Sequence, residues 1–325
     1  MAKESGKMKA IWLENQKISF RRDVPAPVPG EGEALIRMIM SGVCSTDLEL
    51  IRGYYPYTGV PGHEFVGEVV EAPGAEEWIG KRVAGEINLT CGVCPACLKG
   101  RSHHCLNRTV LGIMGHSGSM AEELVLPVKN LIALPDQIPN EEAVFVEPLA
   151  AAVQVLEQVH IAPGMRVVVV GAGRLGQLIA RCLKLTGCDL KVVVRRESAR
   201  KALEIHGIKA VAAEELTNGS ADVVVEATGS AEGFDLSRRL VRAAGILVLK
   251  STFAGDVSVN LSSLVVDEIT VVGSRCGEFN PAVRLMAAGL VNCKDMIDSI
   301  YPLDQGVAAF ERAAMPGILK VVLTP

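Results

Sequence analysis

Four cysteines, Cys91, Cys94, Cys97 and Cys105, stand in the pattern C-x2-C-x2-C-x7-C within the segment CGVCPACLKGRSHHC. Four thiolates this close can complete a tetrahedral shell around zinc and leave no position for a substrate, so such a site is structural. Redox dithiols and iron–sulfur clusters also use closely spaced cysteines, and cysteines can lie unliganded. Four of them with turn residues between favour zinc. The adjacent His103 and His104 read as surface residues. A second set is dispersed: Cys44 in SGVCSTD, His63 and Glu64 in GVPGHEFVGEVV, and Glu147 in VFVEPLAAAV. Taken singly, these have ordinary readings as a small core residue, a turn residue and a helix N-terminal acid.

A third group binds rather than reacts. In RVVVVGAGRLG, the β-branched run Val167 to Val170 has the composition of a strand buried on both faces of a parallel sheet. Gly171, Gly173 and Gly176 then give G-x-G-x-x-G, with Arg174 and Leu175 inside the motif, and QLIARCLKL follows with apolar residues at helical spacing. Strand, glycine turn and helix are the context of a dinucleotide fingerprint, in which pyrophosphate meets the free N–H groups of the helix N-terminus. The next strand, DLKVVV, ends at Val194. About 20 residues past the glycines an acid usually binds the adenosine ribose of NAD. Arg195 and Arg196 stand there instead. Guanidinium groups can hold a 2′-phosphate that a carboxylate would repel, so NADP(H) is favoured, with NAD(H) the alternative.

These residues need elements to position them. KAIWL, KISFRR and ALIRMIM read as strands, and PAPVPGEGE between them as a turn region. From about Pro163 the pattern changes to alternating strands and helices, continuing through ADVVVEATGS, GILVLKST and ITVVGSRCG. The expected fold class is α/β, a mostly-β domain joined to a doubly wound Rossmann domain. The 325 residues, 49% hydrophobic, suffice for two cored domains. No apolar run approaches the ~20 residues of a membrane span. MAKESGKMKAIW lacks a signal-peptide core, so a cytoplasmic location is expected. A formal net charge of −4 gives no reason to expect nucleic acid or an anionic membrane as partner. Nine cysteines, odd in number and partly clustered, suggest metal ligands before disulfides.

Together these features resemble the zinc-dependent medium-chain alcohol dehydrogenase family almost end to end. The likeness rests on G-H-E-x-x-G at Gly62 to Gly67, the cysteine lobe, E-P-L at Glu147 to Leu149, the glycine fingerprint and the closing ERAA…LKVVL segment. Glu147 where other members have a second cysteine points to the sorbitol and threonine dehydrogenase branch.

The resemblance implies a GroES-like catalytic domain over residues 1–155, completed by 290–325, and a Rossmann domain over 156–289. It implies one structural and one catalytic zinc, the latter held by Cys44, His63 and Glu147. Glu64 would approach the metal during ligand exchange, Asp47 would orient His63, and Thr46 would receive the proton of a small alcohol or carbonyl substrate. Ala227, Thr228, Lys250, Ser274 and Arg275 match cofactor-lining stretches. ITVVGS matches a strand that pairs between subunits, implying a homo-oligomer, dimer or tetramer. One departure is Glu49, where some members carry a histidine that passes the proton to solvent. A zinc-independent enone or quinone reductase would generally lack both ligand groups. A non-catalytic nicotinamide redox sensor would not need Thr46 and Asp47. Cys182, Cys188, Cys276 and Cys293 are expected as small core residues.

Overall fold

The computed structural model describes residues 6–252 and 257–325. Strands β1 (Lys7–Glu14) and β2 (Lys17–Pro25) pair antiparallel around Asn15 and Gln16, whose φ values of 49° and 61° suit a two-residue hairpin turn. After the Pro/Gly segment, β3 (Glu33–Gly42) leads into α1 (Ser45–Ile51), and β4 (Glu64–Glu71) into β5 (Arg82–Gly85). The cysteine lobe follows: β6 (Asn88–Leu89), the single turn α2 (Pro95–Leu98), β7 (Thr109–Leu111) and β8 (Gly115–His116). Then come β9 (Glu123–Pro127), β10 (Leu131–Ala133), α3 (Asn140–Ala143) and α4 (Val146–Gln158).

The second half alternates as expected: β11 (Arg166–Val170), α5 (Arg174–Lys184), β12 (Asp189–Val193), α6 (Glu197–Glu204), β13 (Lys209–Val211), β14 (Ala221–Glu226), α7 (Ala231–Leu240), β15 (Val241–Leu249), α8 (Leu261–Val266) and β16 (Thr270–Gly273). The chain closes with α9 (Phe279–Ala287), β17 (Ile297–Pro302), α10 (Gly306–Ala314) and β18 (Lys320–Thr324). No helix among the described residues is long and apolar enough to cross a membrane.

Two compact units emerge. The first holds residues up to Glu147 together with Ala282–Pro325. Its sheet runs β10-β5-β4-β3-β18-β17, with β9 also on β3. Ala34, Ile36 and Met38 of β3 alternate inward, and Met38 joins a core with Ile11, Val60, Phe310, Val321 and Leu323. β18 reaches this core by pairing with β3, Val322 opposite Gly42.

The second unit, Pro148–Pro281, carries an all-parallel sheet in the order β13-β12-β11-β14-β15-β16. This is the doubly wound order, with its switch point between β11 and β14. Val167 to Val170 are all buried, as a strand covered on both faces requires.

The unit boundaries differ from the expected 155/156 and 289/290. They fall after Glu147, inside α4, and after Pro281, inside α9. A helix that runs through a boundary shows no change of composition there. Cys182 and Cys293 are buried as expected, but Cys188 and Cys276 are only partly covered. Cys188 follows the turn at Gly187, and Cys276 the end of β16.

One polar tie in the second unit yields a prediction. Asp222 of β14 accepts from the Arg242 Nε at 2.6 Å and the Arg166 backbone N–H at 2.7 Å, joining the ends of β11, β14 and β15. These bonds hold its carboxyl well below the usual carboxylate range, Arg242 contributing most. A depressed folded pKa gives stability that is present above the unfolded value of about 4 and lost as pH falls below it. Asp222→Asn should therefore lower unfolding stability at pH 7 by roughly 1.5–3 kcal/mol. In urea titrations the gap between wild type and variant should narrow as pH falls below about 4.

Candidate active site and metal centres

The dispersed set converges within the first unit. β3 ends at Gly42, Val43 is buried, and Cys44 caps the first turn of α1 in extended backbone. Thr46 lies two residues on, in that helical turn, with its Oγ1 3.7 Å from the Cys44 Sγ. Ser45 between them is exposed. Asp47 is fully buried. Its Oδ2 accepts from the Cys44 backbone N–H at 2.8 Å, and its Oδ1 lies 3.4 Å from His63 Nδ1.

His63, 3% exposed, enters just before β4 behind Gly62. Gly62 takes a φ of +99°, and a Cβ there would stand 2.6 Å from Met120 Cγ, so only glycine fits. Burial opposes the charged imidazole of His63, but Asp47 and Cys44 outweigh it and raise its pKa well above the ordinary value. With Nδ1 turned to Asp47, Nε2 is the nitrogen left for a metal.

The ligand atoms of Cys44, His63 and Glu64 lie within 4.8 Å of one another. Glu147, expected as the third ligand, is not in this group; it stands half-buried in the first turn of α4. Glu64 is buried, and its Oε2 accepts from Lys320 Nζ. Thiolate, imidazole and carboxylate donors together suit Zn²⁺. Glu49, the departure in this region, accepts from Arg52 at 2.5 Å as a helix-surface acid. Tyr55, 42% exposed, donates to Met114 Sδ at 3.3 Å.

The four lobe cysteines also meet, their Sγ atoms within 4.8 Å of one another, and no disulfide forms among the described residues. Cys94 and Cys97 are 3.5 Å apart, Cys91 and Cys105 3.5 Å, and the Cys91 backbone N–H donates to Cys105 Sγ. Backbone N–H groups of Cys97 and Leu106 pull the Cys94 thiol down to about 6, whereas burial and Cys94 push Cys97 up to about 11. Sulfurs already receiving N–H bonds are suited to the thiolate form that zinc needs. Val93, Leu98 and Leu106 of this lobe are at least 75% exposed, so the lobe has little core of its own. His104 is exposed as expected, but His103 is half-buried, 3.3 Å from Glu86.

In the second unit the fingerprint glycines divide by role. Gly171 has a φ of +106°, and a Cβ there would press on the Ala227 carbonyl at 2.8 Å. A Cβ at Gly176 would lie 2.1 Å from the Gly171 carbonyl, whereas Gly173 faces open space. Packing therefore demands the outer two glycines and leaves the middle one to ligand approach. Gly173 caps α5, which begins with Arg174 and Leu175, both partly exposed. Arg195 and Arg196 follow β12 and are both exposed, Arg196 capping α6.

Ala227 and Thr228 follow β14, Lys250 follows β15, and Ser274 and Arg275 follow β16. Lys250 is buried and donates to Ser274 Oγ at 3.0 Å and to the Arg275 carbonyl. Sequence reasoning missed Glu226, which is buried and accepts from the Thr228 hydroxyl and the backbone N–H groups of Thr228 and Gly229. Its signal in the sequence was an acid placed directly after the apolar run Val223–Val225 of β14. Lys320, equally missed, carried no local signal.

Residues 30–136 match the model of the alcohol dehydrogenase GroES-like domain, and residues 175–288 that of the zinc-binding dehydrogenases. The chain is 30% identical over 319 residues to L-galactonate-5-dehydrogenase of Escherichia coli, covering 92% of this chain and 93% of that one. It is 30% identical over 326 residues to sorbitol dehydrogenase of Halalkalibacterium halodurans, with 94% and 95% covered. Among solved structures, a candidate zinc-binding dehydrogenase of Sinorhizobium meliloti bound to NADP superposes with a TM-score of 0.90 at 29% identity, covering 98% of this chain and all of that one. With both ligand groups, the glycine turn and these end-to-end likenesses in agreement, the chain belongs to the zinc-dependent medium-chain alcohol dehydrogenase family.

Proposed function

We propose that this protein moves hydride between a small alcohol or polyol, or the corresponding aldehyde or ketone, and a nicotinamide cofactor. The observation that carries the reading is the meeting of Cys44, Thr46 and His63 around the buried Asp47. Cys44, His63 and Glu147 would hold a catalytic zinc, with Glu64 beside them, and the lobe cysteines a structural one. Such an ion supplies Lewis-acid polarisation of the substrate oxygen. Asp47 fixes the imidazole, and Thr46 takes the hydroxyl proton. In the second unit the N-terminus of α5 receives the pyrophosphate, and the ends of β14, β15 and β16 line the cofactor.

β16 is an edge strand with Val271 42% exposed, and Val265 and Val266 of α8 are more than 70% exposed. These surfaces support pairing of two subunits along that edge. Thiolates that hold zinc, as proposed for the lobe, suit the reducing cytoplasm.

Three measurements test the reading. Metal analysis of the purified protein should give two zinc ions per chain. His63→Ala should remove one ion and abolish turnover in a folded protein, while Cys97→Ser should chiefly lower stability or solubility. A single tightly bound ion in the wild type would sink the two-site assignment.

Cofactor preference follows from Arg195 and Arg196. A charge-assisted pair to a 2′-phosphate contributes about 1.5–3 kcal/mol, so kcat/KM should favour NADP(H) roughly tenfold or more. Equal values, or a preference for NAD(H), would overturn the assignment.

Thr46→Val keeps the shape of the side chain but removes its hydroxyl. The kcat for alcohol oxidation should fall by roughly two orders of magnitude or more, with zinc content unchanged. Retained activity in Thr46→Val combined with its loss in Ser45→Ala would place the proton acceptor elsewhere.

A further inference from the structure

Lys320 of β18 is 1% exposed, and its Nζ donates to Glu64 Oε2 and lies 5.4 Å from the centre of the Phe145 ring. The two residues come from sequence positions 256 apart, and neither side chain meets solvent. Strand register brings them together. Glu64 lies opposite Gly42 across β4 and β3, and Gly42 opposite Val322 across β3 and β18. A Cβ at Gly42 would stand 2.6 Å from Glu64 Oε2 and 3.3 Å from Lys320 Cδ. Glycine therefore leaves the gap through which the two side chains touch.

Glu64 also belongs to the group formed with Cys44 and His63. One carboxylate thus has two cations to choose between, the ammonium of Lys320 and the ion that Cys44 and His63 would hold. Charge decides between them: a thiolate together with the Glu147 carboxylate would neutralise a divalent ion, and a second carboxylate would leave the shell net negative. Among the described residues, Glu64 is the acid that Lys320 pairs with.

We infer that Lys320 is a positioning residue that keeps Glu64 out of the resting metal shell, so that one coordination position stays open for the substrate oxygen. The inference rests on the proposed metal site at Cys44, His63 and Glu147.

Two readouts test it: the rate at which a chelator removes the more labile zinc from the purified protein, and the visible spectrum of the cobalt(II)-exchanged protein with and without a simple alcohol. In Lys320→Met the freed Glu64 should join the ion. Zinc loss should slow roughly tenfold or more, and the cobalt spectrum should shift toward higher coordination and stop responding to alcohol. Lys320→Arg should behave as wild type, and Lys320→Met combined with Glu64→Gln should return to the wild-type rate and spectrum. A folded Lys320→Met protein with wild-type rate and spectrum overturns the inference, as does a double variant that stays slow.

If Lys320→Met does not fold, Glu64→Gln alone decides. An unchanged cobalt spectrum is expected, and a changed one makes Glu64 a resident ligand and overturns the inference. A wild type holding only one zinc removes the metal site itself and the inference with it. Two ions with an unresponsive Lys320 variant remove the inference alone.

Discussion

The first unit is organised around the carboxylate of Asp47. One oxygen holds the backbone of Cys44 at the start of α1, and the other faces the ring of His63 ahead of β4. A buried carboxylate is costly to desolvate, so it has to be met by donors or cations on every side. Here those partners are the pieces that must be fixed for an ion to bind. The helix start, the strand entry and the imidazole tautomer are therefore not three independent requirements. A single desolvated charge couples them, and the glycine at Gly62 lets the chain approach closely enough for that coupling.

The second unit applies the same economy to backbone rather than to metal ligands. Its parallel strands all end at one edge, and the loops leaving them have to be held without a core of their own. Glu226 does this for the turn at Thr228 by collecting three donors, and Lys250 does it for the end of β16 through Ser274 and Arg275. The protein's own bonds thus hold these loops in shape, which lowers the ordering cost of binding.

What could be read from the sequence follows from how local each signal is. The lobe cysteines lie within fifteen residues and carry their own geometry, and the fingerprint is a continuous strand, turn and helix. The doubly wound order follows from the alternation of elements. Cys44, His63 and Glu147 have ordinary readings taken singly, and only the family resemblance joined them into one set. Cys44, Thr46 and Asp47 share the capped first turn of α1, a geometry that spacing alone does not show. Lys320 was invisible because its role comes from strand register across most of the chain. The two compact units part inside α4 and α9, continuous helices whose composition gives no sign of a division.

The return of β18 to β3 gives the molecule an order of assembly. The second unit is one uninterrupted segment and can complete its sheet from its own residues. The first unit is split, and Glu64 has no cation in its pocket until a strand 256 residues later arrives. A nascent chain would thus carry an unfinished sheet, open beside β3, through the whole synthesis of the nucleotide-binding unit. Closure of that sheet depends on a long loop with a high entropic cost, which places it late and makes it slow. Chaperone demand and aggregation risk should therefore concentrate on the half of the molecule that is made first.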